Sequence, residues 1–128
     1  MTPEGDLKKK FRAWMESIGA YRVSVVPNGY GKGYVDDFFC LKGHFIAAEG
    51  KAPGKYQTPW DGCTANQRKC LQDVNLAGGF AFAYDNLETA QKIILHSFRR
   101  VLNESDVPTL RGNREDRRAD QTSNNLDP

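Results

Sequence analysis

The chain has 128 residues, 39% hydrophobic and 27% charged, which suits one domain with a buried core and is too short for two. Its net charge of +2 is unevenly placed: residues 1–102 carry 14 Lys/Arg against 10 Asp/Glu, and residues 103–128 carry 4 against 6. A modestly basic body fits a polyanionic partner. The start MTPEGDLKKK lacks a signal-peptide core and no apolar run has membrane length, so a soluble cytoplasmic protein is expected, and Cys40, Cys63 and Cys70, with no CxxC pair, exclude zinc spacing and read as free thiols.

In chain order, Leu7, Phe11, Trp14, Met15 and Ile18 recur at helical spacing and predict a helix over Pro3–Ser17, ended by Gly19. Lys8, Lys9, Lys10 and Arg12 fall mostly on its other face and read as a solvated surface, with phosphate contact as the alternative. AYRVSVVP reads as a strand stopped at Pro27. Tyr34–Leu41 and His44–Lys51 read as two more strands joined by a tight turn at Lys42-Gly43. After a Pro- and Gly-rich loop, Thr64 to Gln67 matches a capping box that opens a second helix through Cys70, Leu71 and Val74. FAFAY gives a fourth strand, expected parallel to a neighbour after a crossover helix. Asp85 to Glu88 then start a third helix carrying Ala90, Ile93, Ile94, Phe98 and Val101. Residues 103–128 are polar and charged and read as a disordered tail whose RGNREDRR stretch is a solvated linker. The fold class is therefore α/β: a helix, a three-strand meander, a helix, a strand and a helix.

The chemistry concentrates at one hairpin. Glu49 and Lys51, two apart on a strand, leave the same face roughly 7 Å apart, and the hairpin brings Asp36 level with Glu49. Two close carboxylates repel unless a cation sits between them. With oxygen donors and no His or Cys nearby, that cation is Mg²⁺ or Mn²⁺, which can activate water and polarise a phosphoryl oxygen. Lys51 would orient or deprotonate the water, or neutralise charge developing on phosphate. The E-x-K triplet alone specifies little, since about half an occurrence arises by chance at roughly 6% per residue type. A salt bridge at a sheet edge explains it equally well.

The wider pattern is more specific. Gly33-Tyr34-Val35-Asp36, Cys40, Gly43, Phe45-Ile46-Ala47, Glu49 to Gly54, Thr64 to Gln67 and Ala77-Gly78-Gly79 together resemble the VRR-Nuc branch of the PD-(D/E)XK nucleases. The resemblance spans residues 1–102 and implies a restriction-endonuclease-like core there. It implies Asp36 and Glu49 as metal ligands with the carbonyl of Gly50, Glu4 as an additional acid, Lys51 as the catalytic lysine and Gln67 lining the site, where the capping box is its other explanation. Asp36 fits the pattern better than Asp37 through its distances to Cys40 and Gly43, and Asp37 alternates to the opposite sheet face. Val35 stands where the family has proline, and Gly50 where it has an apolar residue. Neither departure removes a ligand; a glycine there weakens the strand or lets backbone approach the metal.

The same resemblance implies a metal-dependent, structure-selective DNA endonuclease, with free-standing domains of this size resembling phage proteins and acting in the host cytoplasm. Holliday-junction resolution needs two symmetric cuts and so a homodimer, with the apolar face of the first helix, including Trp14, or the Trp60 loop as interface. Lys32, Lys55, Arg68 and Lys69 are candidate phosphate contacts. The alternatives are a nicking, flap or restriction-like nuclease on the same residues, a nucleic-acid-binding module without catalysis, and a fortuitous hairpin in an unrelated domain.

Overall fold

A computed structural model describes residues 2–24 and 35–102. Helix α1 spans Pro3–Ser17, as its apolar spacing predicts, with Thr2 capping the amide of Gly5 and proline at the first turn. Gly19 follows at φ 100°, a left-handed position that glycine takes without Cβ strain. Strands β1 (Tyr21–Ser24), β2 (Asp37–Leu41) and β3 (His44–Gly50) form the antiparallel meander. The expected continuation of the first strand to Pro27 lies outside the described residues, as does Tyr34, the expected start of the second; Val35 and Asp36 are described and precede the strand, which begins only at Asp37. Lys42 and Gly43 turn the hairpin with φ of 51° and 83°, the positive pair of a type I′ turn matched to strand twist.

The connection to α2 contains a 3-10 turn, Pro59–Gly62, where sequence patterning shows only a loop. Thr58 and Asp61 form a reciprocal capping box there. Helix α2 spans Ala65–Leu76 and β4 spans Phe80–Tyr84. β4 pairs in parallel with β3, so the crossover expectation holds and the sheet order is β1-β2-β3-β4. β4 is thus an edge strand, and the Asn75 side chain covers part of its backbone: it accepts from the Ala81 amide at 2.8 Å and donates to its carbonyl at 3.1 Å. Helix α3 spans Leu87–Ser97 with Asn86 as its cap. It ends at Ser97 with Phe98 as its C-cap, so Val101, expected on this helix, lies beyond it and is exposed.

Alternation along the strands splits the core in two. Phe39, Leu41, Ile46, Ala48 and Tyr84 pack with Leu7, Phe11, Met15 and Ile18 of α1 and with Ala90 and Ile94 of α3. On the other face, Ala47 packs with Val35, Cys63 and Leu71 of α2. The domain is a three-layer α/β/α sandwich. The apolar face of α1 is spent on this core, with Trp14 packed against it, so it does not supply the expected dimer interface. Among the described residues, no helix is long and apolar enough to cross a membrane.

Candidate functional site

The β2–β3 register fixes the central relationship. Asp37 pairs with Ala48, so Asp36, one residue before β2, stands opposite Glu49. The Asp36 amide donates to Glu49 Oε1 at 3.3 Å. Glu49 lies at the buried end of β3 with 1% exposure, whereas the Asp36 side chain is 44% exposed. The pair joins a buried acid to one that water can reach.

Lys51 follows β3 and is buried. Its amide donates to the Tyr84 carbonyl at 2.8 Å, extending the β3–β4 ladder. Its Nζ lies 3.4 Å from Glu49 Oε2 and donates to Gln67 Oε1 at 3.0 Å. Gln67 Oε1 also accepts from the Thr64 amide at 3.0 Å, and Thr64 Oγ1 accepts from the Gln67 amide at 3.1 Å. The two readings of Gln67 are therefore not exclusive. The capping box aims one carboxamide oxygen at both the helix end and the lysine.

Lys8 corrects the expectation of a solvated lysine face. It is 8% exposed, and its Nζ lies 2.7 Å from Asp36 Oδ2, 3.2 Å from Glu49 Oε2 and 3.2 Å from Glu4 Oε2. Glu4 joins the cluster because it sits one helical turn before Lys8. Burial pulls the Lys8 ammonium down, but the hydrogen bond to Asp36 and the charges of Glu49, Asp36 and Glu4 outweigh it and hold its pKa above the ordinary value. Burial pushes the Glu49 carboxyl up despite the opposing charges of Lys8 and Lys51.

Arg12 is likewise not a solvated charge. Its Nε donates to Asp37 Oδ1 and Oδ2 at 2.9 and 2.8 Å, and Arg22 Nη1 donates to Oδ1 at 3.3 Å. Asp37 is buried at 1% exposure on the α1 side of the sheet, opposite the face of Asp36, as alternation predicts. It anchors α1 and β1 to β2.

Gly50 has a structural reason of its own. A Cβ there would come within 2.9 Å of Lys8 Cγ, Tyr84 Cζ and Tyr84 Oη, so the lysine stem and the phenol fill the space of a side chain. Tyr84 Oη is buried without a hydrogen-bond partner among the described residues. Burial, with the charge of Asp37 next, raises its pKa.

Among the described residues, no three His, Cys, Asp or Glu side chains stand as a ready-made metal-ligand set; the acids close on an ammonium instead. The donors are still of the right kind. Glu4, Asp36 and Glu49 each place a carboxylate oxygen against one cationic atom, and hard oxygen donors suit Mg²⁺ or Mn²⁺.

No family model matches the chain, and no curated protein matches it. Among solved structures, a VRR_NUC domain matches with a TM-score of 0.62 and 20% identity, over 75% of this chain and 98% of that one. This is the fold of a VRR-Nuc domain. Within it, Val35 is wholly buried beside Ala47, Cys63 and Leu71, so the residue standing in place of proline serves the α2-side core.

The candidate phosphate contacts fare unevenly. Arg68 donates to the Cys63 carbonyl at 2.7 Å and Lys69 pairs with Asp73 at 2.8 Å; both have local structural roles. Lys55 lies over the Tyr56 ring at 5.5 Å, and Lys32 is outside the described residues. A cleft of about 440 Å³ opens at the other end of β3, beside His44, Phe45, Phe80, Phe98 and Arg100. It holds none of the predicted site residues.

Proposed function

We propose that the chain is a divalent-metal-dependent nuclease that hydrolyses phosphodiester bonds in DNA. The observation that carries this reading is the meeting of Asp36, Glu49 and Lys51 at one end of a sheet whose fold is that of a VRR-Nuc domain.

Asp36, Glu49 and Glu4, with the carbonyl of Gly50, would hold Mg²⁺ or Mn²⁺, which supplies Lewis-acid activation of water and of a phosphoryl oxygen. Glu49 is fixed by strand β3 and by the Asp36 amide, so one acid is preorganised while the exposed Asp36 faces incoming ligands. Lys51 is an ammonium donor beside Glu49, oriented by Gln67. It suits neutralising charge that develops on the scissile phosphate. Gln67 positions that lysine.

The substrate we favour is branched DNA, with Holliday-junction resolution as the activity. Two symmetric cuts then need two sites and hence a homodimer, for which the exposed Trp60 is a candidate contact. Residues 1–102 form the nuclease-like domain on this reading, and residues 103–128 are an appendage to it.

The test is cleavage of a labelled four-way junction beside linear duplex, flap and single strand, each with Mg²⁺, Mn²⁺ or EDTA. Paired symmetric cuts in the junction alone are the expected result. Cuts in the other substrates would keep the chemistry and discard the resolvase. No cutting with either metal would overturn the enzyme reading and leave a nucleic-acid-binding module.

A further inference from the structure

The carboxylates assigned to the metal already share a cation. We propose that Lys8 is a resident counter-cation that competes with the divalent metal for Glu4, Asp36 and Glu49, so that the metal enters only by displacing its ammonium. The inference rests on the metal reading of this site.

Three observations support it. First, the oxygens that would face the metal are those facing Lys8 Nζ, at 2.7 to 3.2 Å. A dication and an ammonium cannot occupy the same point, and at neighbouring points they repel. Second, charge balance favours competition. Glu4, Asp36 and Glu49 against Lys8 and Lys51 leave a net charge of −1, and removing the Lys8 ammonium makes it −2, a better site for a dication. Third, the fold builds a passage for the lysine. Strand alternation puts Gly50 on the α1 side of the sheet and Glu49 on the other. The missing side chain at Gly50 leaves room for the stem, whose Cγ would lie 2.9 Å from a Cβ there. Lys8 therefore starts on α1 and reaches an acid of the opposite face through a gap cut for it.

Displacement is physically open. Glu4 and Asp36 have side chains 35% and 44% exposed, so both solvent and metal approach from their side. The lysine stem is flexible and can carry its charge outward. In metal-free protein the ammonium keeps three converging acids from repelling one another; with metal bound, that role passes to the metal.

The experiment is calorimetric titration of Mn²⁺ into the full chain as wild type, Lys8→Met and Lys10→Met. Lys10 lies on the same helix in an exposed pair with Asp6, so its substitution matches the change in charge. Lys8→Met should bind Mn²⁺ about tenfold tighter or more, the scale of one released charge-assisted contact, and Lys10→Met should stay within about twofold of wild type. Equal or weaker binding by Lys8→Met would overturn the competition while leaving the metal reading intact. Binding by neither wild type nor Lys8→Met would overturn both.

A second measurement uses only wild-type protein and so does not depend on the variant folding. Amine acylation followed by mass spectrometry should label Lys8 several-fold faster with saturating Mg²⁺ than with EDTA, while the exposed Lys69 is unchanged. Lys8 labelling that stays flat or falls as Mg²⁺ binds would overturn the proposal.

Discussion

The Asp36 amide donates to Glu49 Oε1 across the first pair beyond the β2–β3 ladder. That single contact fixes the geometry of the site, because it ties an acid outside the strand to an acid buried at the strand's end. It also separates Asp36 from its neighbour Asp37, which alternates to the other face and serves the core.

Asp37→Ala should destabilise the domain rather than remove its chemistry. The substitution leaves Arg12 and Arg22 without the carboxylate they share. A cost of about 3 kcal/mol is expected, the low end for a broken buried pair, because both arginines keep roughly a third of their surface in water. Denaturant unfolding checks this, and cleavage by the folded fraction should be close to wild type. Complete loss of cutting at full stability would mean that Asp37, not Asp36, is the site acid.

The site is both the most and the least legible part of the sequence. Counting back from the Lys42-Gly43 turn is enough to align Asp36 with Glu49, because a hairpin register is set by its turn. The same counting puts Asp37 on the opposite face but cannot reveal its arginines, which come from α1 and β1. Lys8 escapes a reading by periodicity because the helical stripe through Leu7, Phe11, Trp14 and Ile18 is complete without it. Its position seven residues before the buried Met15 is the available signal. The 3-10 turn at Pro59–Gly62 leaves a trace in T-P-W-D, a short capping pattern hidden within a loop of turn-forming residues.

Gln67 can be separated into its two roles. Gln67→Ala removes one half of the capping box and Lys51's acceptor, whereas Thr64→Ala removes the other half and leaves that acceptor. Each should cost about 1 kcal/mol of stability. Only Gln67→Ala should also slow cleavage, by about tenfold if it loses one orienting hydrogen bond of roughly 1.4 kcal/mol. Equal cleavage by the two variants would reduce Gln67 to a cap.

Gly50→Ala should lower the melting temperature. Its Cβ would meet Lys8 Cγ and two atoms of the Tyr84 phenol at 2.9 Å, and the ring end of a buried tyrosine yields little. Overpacking of this kind costs about 1–3 kcal/mol. Unchanged melting would show that the space beside Gly50 is not filled as described.

Thiol chemistry checks the α2-side core independently. Burial pushes the Cys63 thiol up, and its Sγ lies against the Pro59 carbonyl at 3.6 Å, while Cys40 is exposed. The thiolate is the reactive form, so at pH 8 iodoacetamide should modify Cys40 at least about tenfold faster than Cys63. Denaturant should bring the rates together. Equal rates in the native protein would contradict the burial of Cys63 with Val35, Ala47 and Leu71.

The most direct test of the site is Mg²⁺-dependent cleavage of labelled junction and duplex DNA by wild type and Asp36→Asn. Asparagine keeps the shape of a side chain that is 44% exposed, so the far-UV spectrum and melting should show an intact fold. Wild type should cut in a metal-dependent way, and the variant should lose at least about a hundredfold, the scale of removing one main electrostatic element of a catalytic site. Cutting by Asp36→Asn at the wild-type rate would contradict the role of Asp36 as a site acid.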